Sequence, residues 1–193
     1  MIFDVFIVGA GSSRSYLAYL LARQGSSVAV IDKEEFPRDK PYGGGLSRKT
    51  LWLPGFDLGR VTQVVVRGAL LTYENRETVA REIDDCAGVT TLGSEFDDFL
   101  RSNAQAAGAA FFPKTAFLSA ERKDRAIRVN TRRQAFVARY LIGADGVGSQ
   151  ARKSIVGLVL GTVGYKECLY PLAASVPYWL FSKRYGYSPG LQL

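Results

Sequence analysis

Short apolar runs and one helical repeat alternate at the start of the chain. Residues 3–8 are apolar and lead into a glycine, which is typical of a buried strand. Residues 12–24 follow with helical spacing, and Gly25 suits the position just after a helix. Residues 27–31 form a second apolar run, closed by Asp32. We predict a β-α-β unit with parallel strands and a right-handed crossover. Four side chains are expected on the inward helix face: Tyr16, Leu17, Leu20 and Leu21.

A second helix is predicted over residues 94–107. Ser94 is its expected N-cap and Asp97 the acidic partner three residues later. Residues 109–112 then predict a strand that returns to the sheet. The inward side chains are expected to be Phe96, Phe99, Leu100 and Ala104.

Strand patterns occupy most of the remaining sequence. Residues 33–60 are rich in proline and glycine and predict irregular structure. Residues 61–92 contain several strand-like runs, and residues 115–142 contain short alternating runs separated by charged turns, which favour hairpins. A short helix is predicted to start near Ser149.

Composition excludes several classes of protein. The chain has 193 residues, 47% hydrophobic and 22% charged, which is typical of a folded globular protein. It has no histidine, so histidine-based triads and the common zinc sites are excluded. Cys86 and Cys168 lack metal-ligand spacing and are expected to be free thiols. No apolar run is long enough to span a bilayer and no signal peptide is evident, so a cytoplasmic location is expected.

Positive charge is concentrated in the last third of the chain. Net charge is +7, and residues 121–193 carry 12 basic and 4 acidic side chains. Such a cluster can attract anionic lipid, nucleic acid or a phosphorylated ligand, or it can be an ordinary solvated hairpin. No aromatic residues lie among the basic residues of 122–133, so nucleic acid is not an expected partner.

The first motif with chemical meaning runs from Gly9 to Arg14, between the predicted strand and helix. Gly9 permits a tight turn, Gly11 allows close approach to a pyrophosphate, and the helix N-terminus supplies N–H donors. Asp32 suits a carboxylate that binds ribose hydroxyls. Arg14 stands where the dinucleotide-binding pattern has its third glycine. We expect it to disturb helix–strand packing and weaken the site, with pairing to a phosphate as the alternative.

The second motif spans residues 141–152. A hydrophobic strand enters an Asp-Gly turn at Asp145 and Gly146, and Ser149 and Arg152 follow at the start of a helix. Asp145 could accept a hydrogen bond from a ligand hydroxyl, or the turn could simply be a capped helix start.

Together these motifs resemble the flavoprotein monooxygenase-like fold typified by p-hydroxybenzoate hydroxylase. Within that fold, three segments resemble the geranylgeranyl reductase family. The first begins at Asp32 and includes residues 36–41 and 43–47. The others are the helix motif at 95–109 and the aromatic segment 179–183. The resemblance implies an α/β fold: a Rossmann-like FAD-binding domain with an inserted, incomplete antiparallel β substrate domain.

The same resemblance implies domain boundaries. Residues 1–160 would be the FAD-binding domain, with a β-rich insertion near 61–92 and hairpins over 115–140. Residues 161–193 would begin the substrate-binding domain. The family's later Gly-Asp segment is absent, so we expect a C-terminally truncated member.

By resemblance, the cofactor is FAD, and NAD(P)H is a possible electron donor. The resemblance also implies that Trp179 and Phe181 line an apolar channel for the isoprenoid chain. No metal site is expected, and no catalytic residue is assigned. The residues implied to bind FAD are Gly9, Gly11, Ser12, Asp32, Lys33, Arg38, Gly43, Gly44, Gly45, Asp145 and Gly146.

Three functions stay open. The family reduces carbon–carbon double bonds of isoprenoid chains with a hydride from reduced flavin, so the partner would be an isoprenoid or isoprenoid lipid, met peripherally at a membrane. An aromatic hydroxylase or halogenase on the same fold is a second hypothesis. A non-catalytic remnant that binds FAD weakly or not at all is the third. The oligomeric state is not predicted.

Overall fold

The computed structural model describes residues 2–38, 44–52, 56–74, 76–146, 148–156 and 191–192. The chain forms two compact units, residues 1–42 with 93–164, and residues 43–92 with 165–193. The second unit thus begins near residue 43, earlier than the expected insertion near 61. Residues 161–190 lie outside the described part, so the domain boundary near 160 stays a prediction.

A six-stranded sheet organises the first unit. Its strand order is β8-β2-β1-β11-β10-β9. The first four of these strands are parallel, and β10 and β9 add an antiparallel edge. The α/β fold class expected from sequence is confirmed. The strands are β1 (Ile2–Val8), β2 (Val28–Ile31), β8 (Ala110–Phe112), β9 (Phe117–Lys123), β10 (Ala126–Thr131) and β11 (Ala135–Gly143).

The core lies on the two central strands because these are apolar on both faces. Every residue of β2 is buried, and Phe6 and Ile7 of β1 are fully buried. Phe6 packs against Phe136, with ring centroids 5.0 Å apart, and Phe136 contacts Phe112 at 4.9 Å. Continuous apolar runs are what parallel strands covered on both faces require.

Helix α1 (Ser12–Arg23) buries a different face from the one expected. Its buried residues are Ser15, Ala18 and Tyr19, whereas the four residues predicted to face inward are only half-buried. Small side chains at Ser15 and Ala18 let neighbouring elements approach closely, so packing overrides the pattern of large apolar residues.

The other helices of this unit are α3 (Gly93–Ala106) and α4 (Gln150–Val156). Helix α3 packs against α1 and begins one residue before the predicted N-cap. Three of its four predicted inward residues are buried, and Phe99 is half-buried. The fourth fully buried position is Asp97, which the sequence analysis treated as a capping partner.

The hairpins over 115–142 belong to the main sheet. The last strand of this region, β11, pairs in parallel with β1. The basic side chains divide between the two turns of this meander. Arg122, Lys123 and Arg125 flank the first turn, and Arg132 and Arg133 lie at the second; all are exposed. The expected single cluster is therefore spread over both ends of the strands.

The second unit contains two small sheets, β3-β7-β4 and β12-β5-β6. The four strand runs predicted within 61–92 are confirmed. Cys86 is half-buried there and its thiol donates to the Gly88 carbonyl, while Cys168 lies outside the described residues. The elements are β3 (Gly45–Ser47), α2 (Arg48–Leu51), a 3₁₀ helix (Leu58–Val61), β4 (Val64–Val66), β5 (Gly68–Tyr73), β6 (Glu77–Glu82), β7 (Gly88–Thr90) and β12 (Leu191–Gln192).

No helix among the described residues is both long and apolar enough to cross a membrane.

Asp4 joins the start of β1 to the start of β2. Its carboxylate accepts the Ser27 N–H at 2.9 Å and the Ser27 hydroxyl at 2.8 Å. The Ser27 backbone N–H, then its hydroxyl, hold the pKa of Asp4 below its ordinary value, and Arg139 acts in the same direction. A carboxylate with a lowered folded pKa stabilises the fold above its unfolded pKa, and this contribution is lost as the pH falls through the folded pKa.

We expect Asp4→Asn to flatten the acid limb of the stability profile. The free energy of unfolding of the wild type, measured with urea, should fall progressively below about pH 4, and that of the variant should fall less over the same interval. Asp124→Asn, an exposed carboxylate in the β9–β10 turn, is the control and should keep the wild-type slope. Parallel profiles for Asp4→Asn and wild type would contradict the assignment.

Candidate dinucleotide-binding site

Two turns meet at the carboxyl edge of the parallel strands. Gly9, after β1, has φ +99°, and its N–H donates to the Ile31 carbonyl at 2.8 Å. Ala144, after β11, donates its N–H to the Val8 carbonyl at 3.0 Å. A Cβ on Gly9 would lie 2.8 Å from the Ala144 carbonyl oxygen. Only glycine fits at Gly9, because both its backbone angles and its neighbour exclude a side chain.

Asp32 is tied into the first of these turns. Its side chain is only 7% exposed. It accepts hydrogen bonds from the Ala10 N–H at 2.8 Å, the Glu34 N–H at 3.0 Å and the Arg38 guanidinium at 3.3 Å. A carboxylate has about four acceptor positions, so about one remains for a ligand hydroxyl.

The N-terminus of α1 exposes unpaired donors beside Asp32. Gly11 is the N-cap residue and supplies no side chain to cap the helix. Its carbonyl accepts the N–H groups of Arg14 and Ser15. Within the described residues, the N–H groups of Ser12 and Ser13 have no hydrogen-bond partner. Such donors, together with the helix dipole, favour an anion.

Ser12 uses its side chain to join the two helices. Its hydroxyl donates to Asp97 of α3 at 2.5 Å. Asp97 is 1% exposed, and its second carboxylate oxygen is buried without a partner in the described structure. Only the backbone N–H of Ser12 is therefore available to a ligand. The prediction that Asp97 partners the Ser94 cap is wrong, because Asp97 accepts a hydrogen bond from Ser12, which is distant in sequence.

Asp145 caps the helix that follows it. Its carboxylate accepts the Gln150 N–H at 2.6 Å and the Ala151 N–H at 3.3 Å, and the Ser149 hydroxyl also donates to it. Gly146 follows with φ +92°. The capped turn foreseen as an alternative is thus present, and it orients this loop against the Gly9 turn.

A cavity of about 150 Å³ opens beside Asp32. The Phe36 ring forms one part of its wall and lies 4.9 Å from the Arg38 guanidinium carbon. Arg101 of α3 reaches the same ring from 5.9 Å and is held by Asp98 at 2.6 Å. Aromatic and guanidinium groups together suit a planar heteroaromatic ring. The other lining residues are Ala10, Asp32, Glu35, Gln105, Phe111, Phe112 and Pro113.

A family model described as an FAD binding domain matches residues 3–164. The chain belongs to this FAD-binding family. The two turns and Asp32 lie within the part of the chain that this model matches.

Two of the similar proteins are named as a reductase and an oxidoreductase. The chain is 31% identical to a menaquinone reductase of Mycobacterium tuberculosis over 88% of this chain and 43% of the relative. It is 32% identical to a probable electron transfer flavoprotein-quinone oxidoreductase of Escherichia coli over 86% of this chain and 43% of the relative. The chain spans less than half the length of the curated relatives it matches.

Solved structures share the fold at lower identity. A geranylgeranyl bacteriochlorophyll reductase-like protein from Thermoplasma acidophilum superimposes with TM-score 0.70, at 23% identity over 82% of this chain and 43% of that protein. The halogenase PltM, in complex with FAD and phloroglucinol, gives TM-score 0.63 at 16% identity over 80% of this chain and 36% of that protein. These superpositions show that the chain shares its fold with the two proteins.

The residues present fit an FAD-binding role. Among the described residues, the N–H groups of Ser12 and Ser13 have no partner and could donate hydrogen bonds to an anion such as a pyrophosphate. The absence of a Cβ at Gly9 lets its turn pack closely against the turn at Ala144, so both turns lie at this edge of the sheet. Asp32 retains about one acceptor position for a ribose hydroxyl.

The other residues that the sequence assigned to FAD are placed unevenly. Lys33 is exposed and pairs with Glu34 at 3.8 Å, pointing to a surface role. Arg38 is mostly buried and joins Asp32 to the cavity. Gly44 and Gly45 belong to the second unit, where a Cβ on Gly44 would lie 2.0 Å from the Thr91 carbonyl oxygen. Gly43, Trp179 and Phe181 lie outside the described residues.

Sequence reasoning missed Asp97, Arg101 and the cavity. A carboxylate at 97 between the inward-facing Phe96 and Leu100 is a signal that could have been found, because an acid on an apolar helix face needs a partner. Arg101 carries no comparable signal. Among the described residues no cluster of side chains could hold a metal ion.

Proposed function

We propose that this chain is the nucleotide-binding part of an FAD-dependent reductase that acts on carbon–carbon double bonds of isoprenoid chains. The main observation behind this proposal is the close packing of the turns at Gly9 and Ala144. Asp32 and the unpaired N–H groups at the start of α1 lie beside these turns. Support for the substrate class comes from the names of two similar proteins. Geranylgeranyl groups and menaquinone both contain isoprenoid chains.

Each part of the cofactor has an assigned set of residues. The N–H groups of Ser12 and Ser13 would hold the pyrophosphate, and Asp32 would accept one ribose hydroxyl. The cavity at Phe36 and Arg101 would take the adenine ring. The turn at Asp145 and Gly146 would border the pyrophosphate and the ribityl chain.

The reacting end of the cofactor is assigned by family resemblance. Gly43, Gly44 and Gly45 would lie near the flavin ring, and Trp179 and Phe181 would line the isoprenoid channel. When bound and reduced, FAD would supply a hydride to one carbon of the double bond, and an acid group or water would supply the proton to the other. This chemistry needs no histidine in the chain, which agrees with its composition.

Several partners belong to the same proposal. NAD(P)H would reduce the flavin. The apolar substrate would be met at a membrane surface, and the exposed arginines at the two turns of the β9–β11 meander would favour anionic lipid. No nucleic-acid partner is proposed.

Flavin retention is the first test of this proposal. The purified chain is incubated with FAD and desalted, and its visible absorption spectrum is recorded. We expect flavin bands that survive desalting. A colourless protein would overturn the FAD-dependent function and favour the non-catalytic remnant.

Substrate class is tested on the same loaded protein. The flavin is reduced without oxygen, a geranylgeranyl lipid or an aromatic acid is added, and recovery of the visible flavin band is followed together with the products. Recovery with formation of the saturated lipid supports the proposal. In a parallel sample, air is admitted after the addition; modification of the aromatic compound there, with no saturated lipid formed in either sample, would instead favour the hydroxylase or halogenase hypothesis.

A further inference from the structure

Arg14 is placed where an arginine is electrostatically unfavourable. It is the third residue of α1, beside the positive end of the helix dipole, and the first turn contains no acidic residue to offset it. It also replaces the third glycine of the dinucleotide-binding pattern. Ser15 and Ala18, rather than Arg14, occupy the buried helix face, so the expected disturbance of packing is avoided by turning Arg14 aside.

Burial adds to this cost. The Nε atom of Arg14 is buried and has no hydrogen-bond partner in the described part of the chain. Burial lowers the pKa of the guanidinium, and the Asp32 carboxylate opposes this effect. A buried donor without a partner is unfavourable unless a ligand satisfies it.

The charged side chains around Arg14 are net negative, which is unfavourable for an anionic ligand. Three carboxylates act on it, those of Asp32, Asp145 and Asp97, and one further cation, Arg38. Without Arg14 this group would carry two net negative charges, and with it one. A pyrophosphate bound at the N–H groups of Ser12 and Ser13 would be repelled by the carboxylates, and the Arg14 guanidinium offsets this repulsion.

We infer that Arg14 is a pyrophosphate ligand of the dinucleotide, which contributes by charge and hydrogen bonding where the dinucleotide-binding pattern has its third glycine. The inference rests on the FAD site proposed above and adds a phosphate-binding residue to it. A guanidinium can donate two parallel hydrogen bonds to phosphate oxygens, and Nε is one of the donors available. The bound phosphate would satisfy the buried donor and the helix N-terminus together.

FAD titrations of Arg14 variants test this inference. Quenching of flavin fluorescence gives Kd for the wild type, Arg14→Gln, Arg14→Lys and Arg14→Gly. We expect Arg14→Gln and Arg14→Gly to weaken FAD binding about tenfold, because a charge-assisted hydrogen bond is lost. Arg14→Lys should lose less, since it keeps the charge but not the paired donors. Arg23→Gln, on the last turn of the same helix, should leave Kd unchanged.

Ligand fragments and salt separate a phosphate contact from a general effect. Calorimetric titration should show Arg14→Gln weakening ADP but leaving adenosine unaffected. The salt dependence of FAD binding should be shallower in Arg14→Gln than in wild type, because one cation–phosphate contact is missing. Thermal unfolding without ligand establishes that each variant is folded, and Arg14→Gly, which restores the common residue, is the variant that guards against a folding defect.

The outcomes distinguish the inference from the function on which it rests. Wild-type FAD binding with unchanged or tighter binding by Arg14→Gly would overturn the inference, because Arg14 would then be neutral or obstructive, and would leave the FAD-dependent function standing. Equal losses for ADP and adenosine would also overturn it. Failure of every variant, including wild type, to bind FAD would overturn both.

Discussion

Gly9→Ala should lower the free energy of unfolding by about 3 kcal/mol, because it combines an unfavourable backbone conformation with a steric clash. Gly9 has φ +99°, and the added Cβ would lie 2.8 Å from the backbone oxygen of Ala144. Neither turn can move apart easily, because backbone hydrogen bonds hold Gly9 to Ile31 and Ala144 to Val8. Chemical denaturation of the ligand-free protein measures this loss.

Gly25→Ala is the matched control for this substitution. Gly25 also has a positive φ, +83°, but a Cβ there would meet nothing within 4 Å. We expect it to cost about 1 kcal/mol, the conformational part alone. The difference between the two variants therefore isolates the contact between the turns. Equal losses would mean that this contact is absent in solution.

Gly9→Ala should also weaken FAD binding, beyond its effect on the free energy of unfolding. Moving the Gly9 turn displaces the Ala10 N–H from Asp32 and changes the path into α1. Titration of the folded fraction with FAD should show binding weakened by more than tenfold, whereas Gly25→Ala should bind like wild type. Undiminished FAD binding by Gly9→Ala would count against this turn as the pyrophosphate site.

Local patterns predicted the elements whose stability depends on near neighbours. β1, α1 and β2 follow one another along the chain, and their apolar runs and the glycine after the helix are enough to place them. Gly25 indeed ends α1 with a positive φ. The buried face of α1 could not be predicted in this way, because it depends on how closely α3 approaches, and Ser15 and Ala18 are not recognisably inward from hydrophobicity alone.

The site shows the same division. The glycine turn and Asp32 are visible in sequence because their spacing is fixed by one strand, one turn and one helix. The cavity is not visible, since Phe36, Arg101 and Pro113 come from separate segments that only the folded sheet brings together. Asp97 illustrates the reason most clearly: a local pattern suggested a partner three residues away, and the actual partner is Ser12.

Asp32 is expected to stabilise the fold even before any cofactor binds. Asp32→Ala would leave the Ala10 N–H and the Arg38 guanidinium without their buried acceptor. Loss of one partner from such a buried network should lower the free energy of unfolding by about 3 kcal/mol. Glu34→Ala, which removes an exposed carboxylate from the same turn, should change it by less than about 0.5 kcal/mol.

The comparison separates two roles for Asp32. If the carboxylate served only to bind ribose, urea unfolding of ligand-free Asp32→Ala would match wild type. We expect instead a large loss without FAD and a further loss of FAD affinity in the fraction that remains folded. Three internal hydrogen bonds fix the carboxylate before the ligand arrives, so the site spends little conformational entropy in orienting its remaining acceptor. We therefore expect Asp32 to couple the stability of the β1–α1–β2 unit to its proposed binding of a dinucleotide.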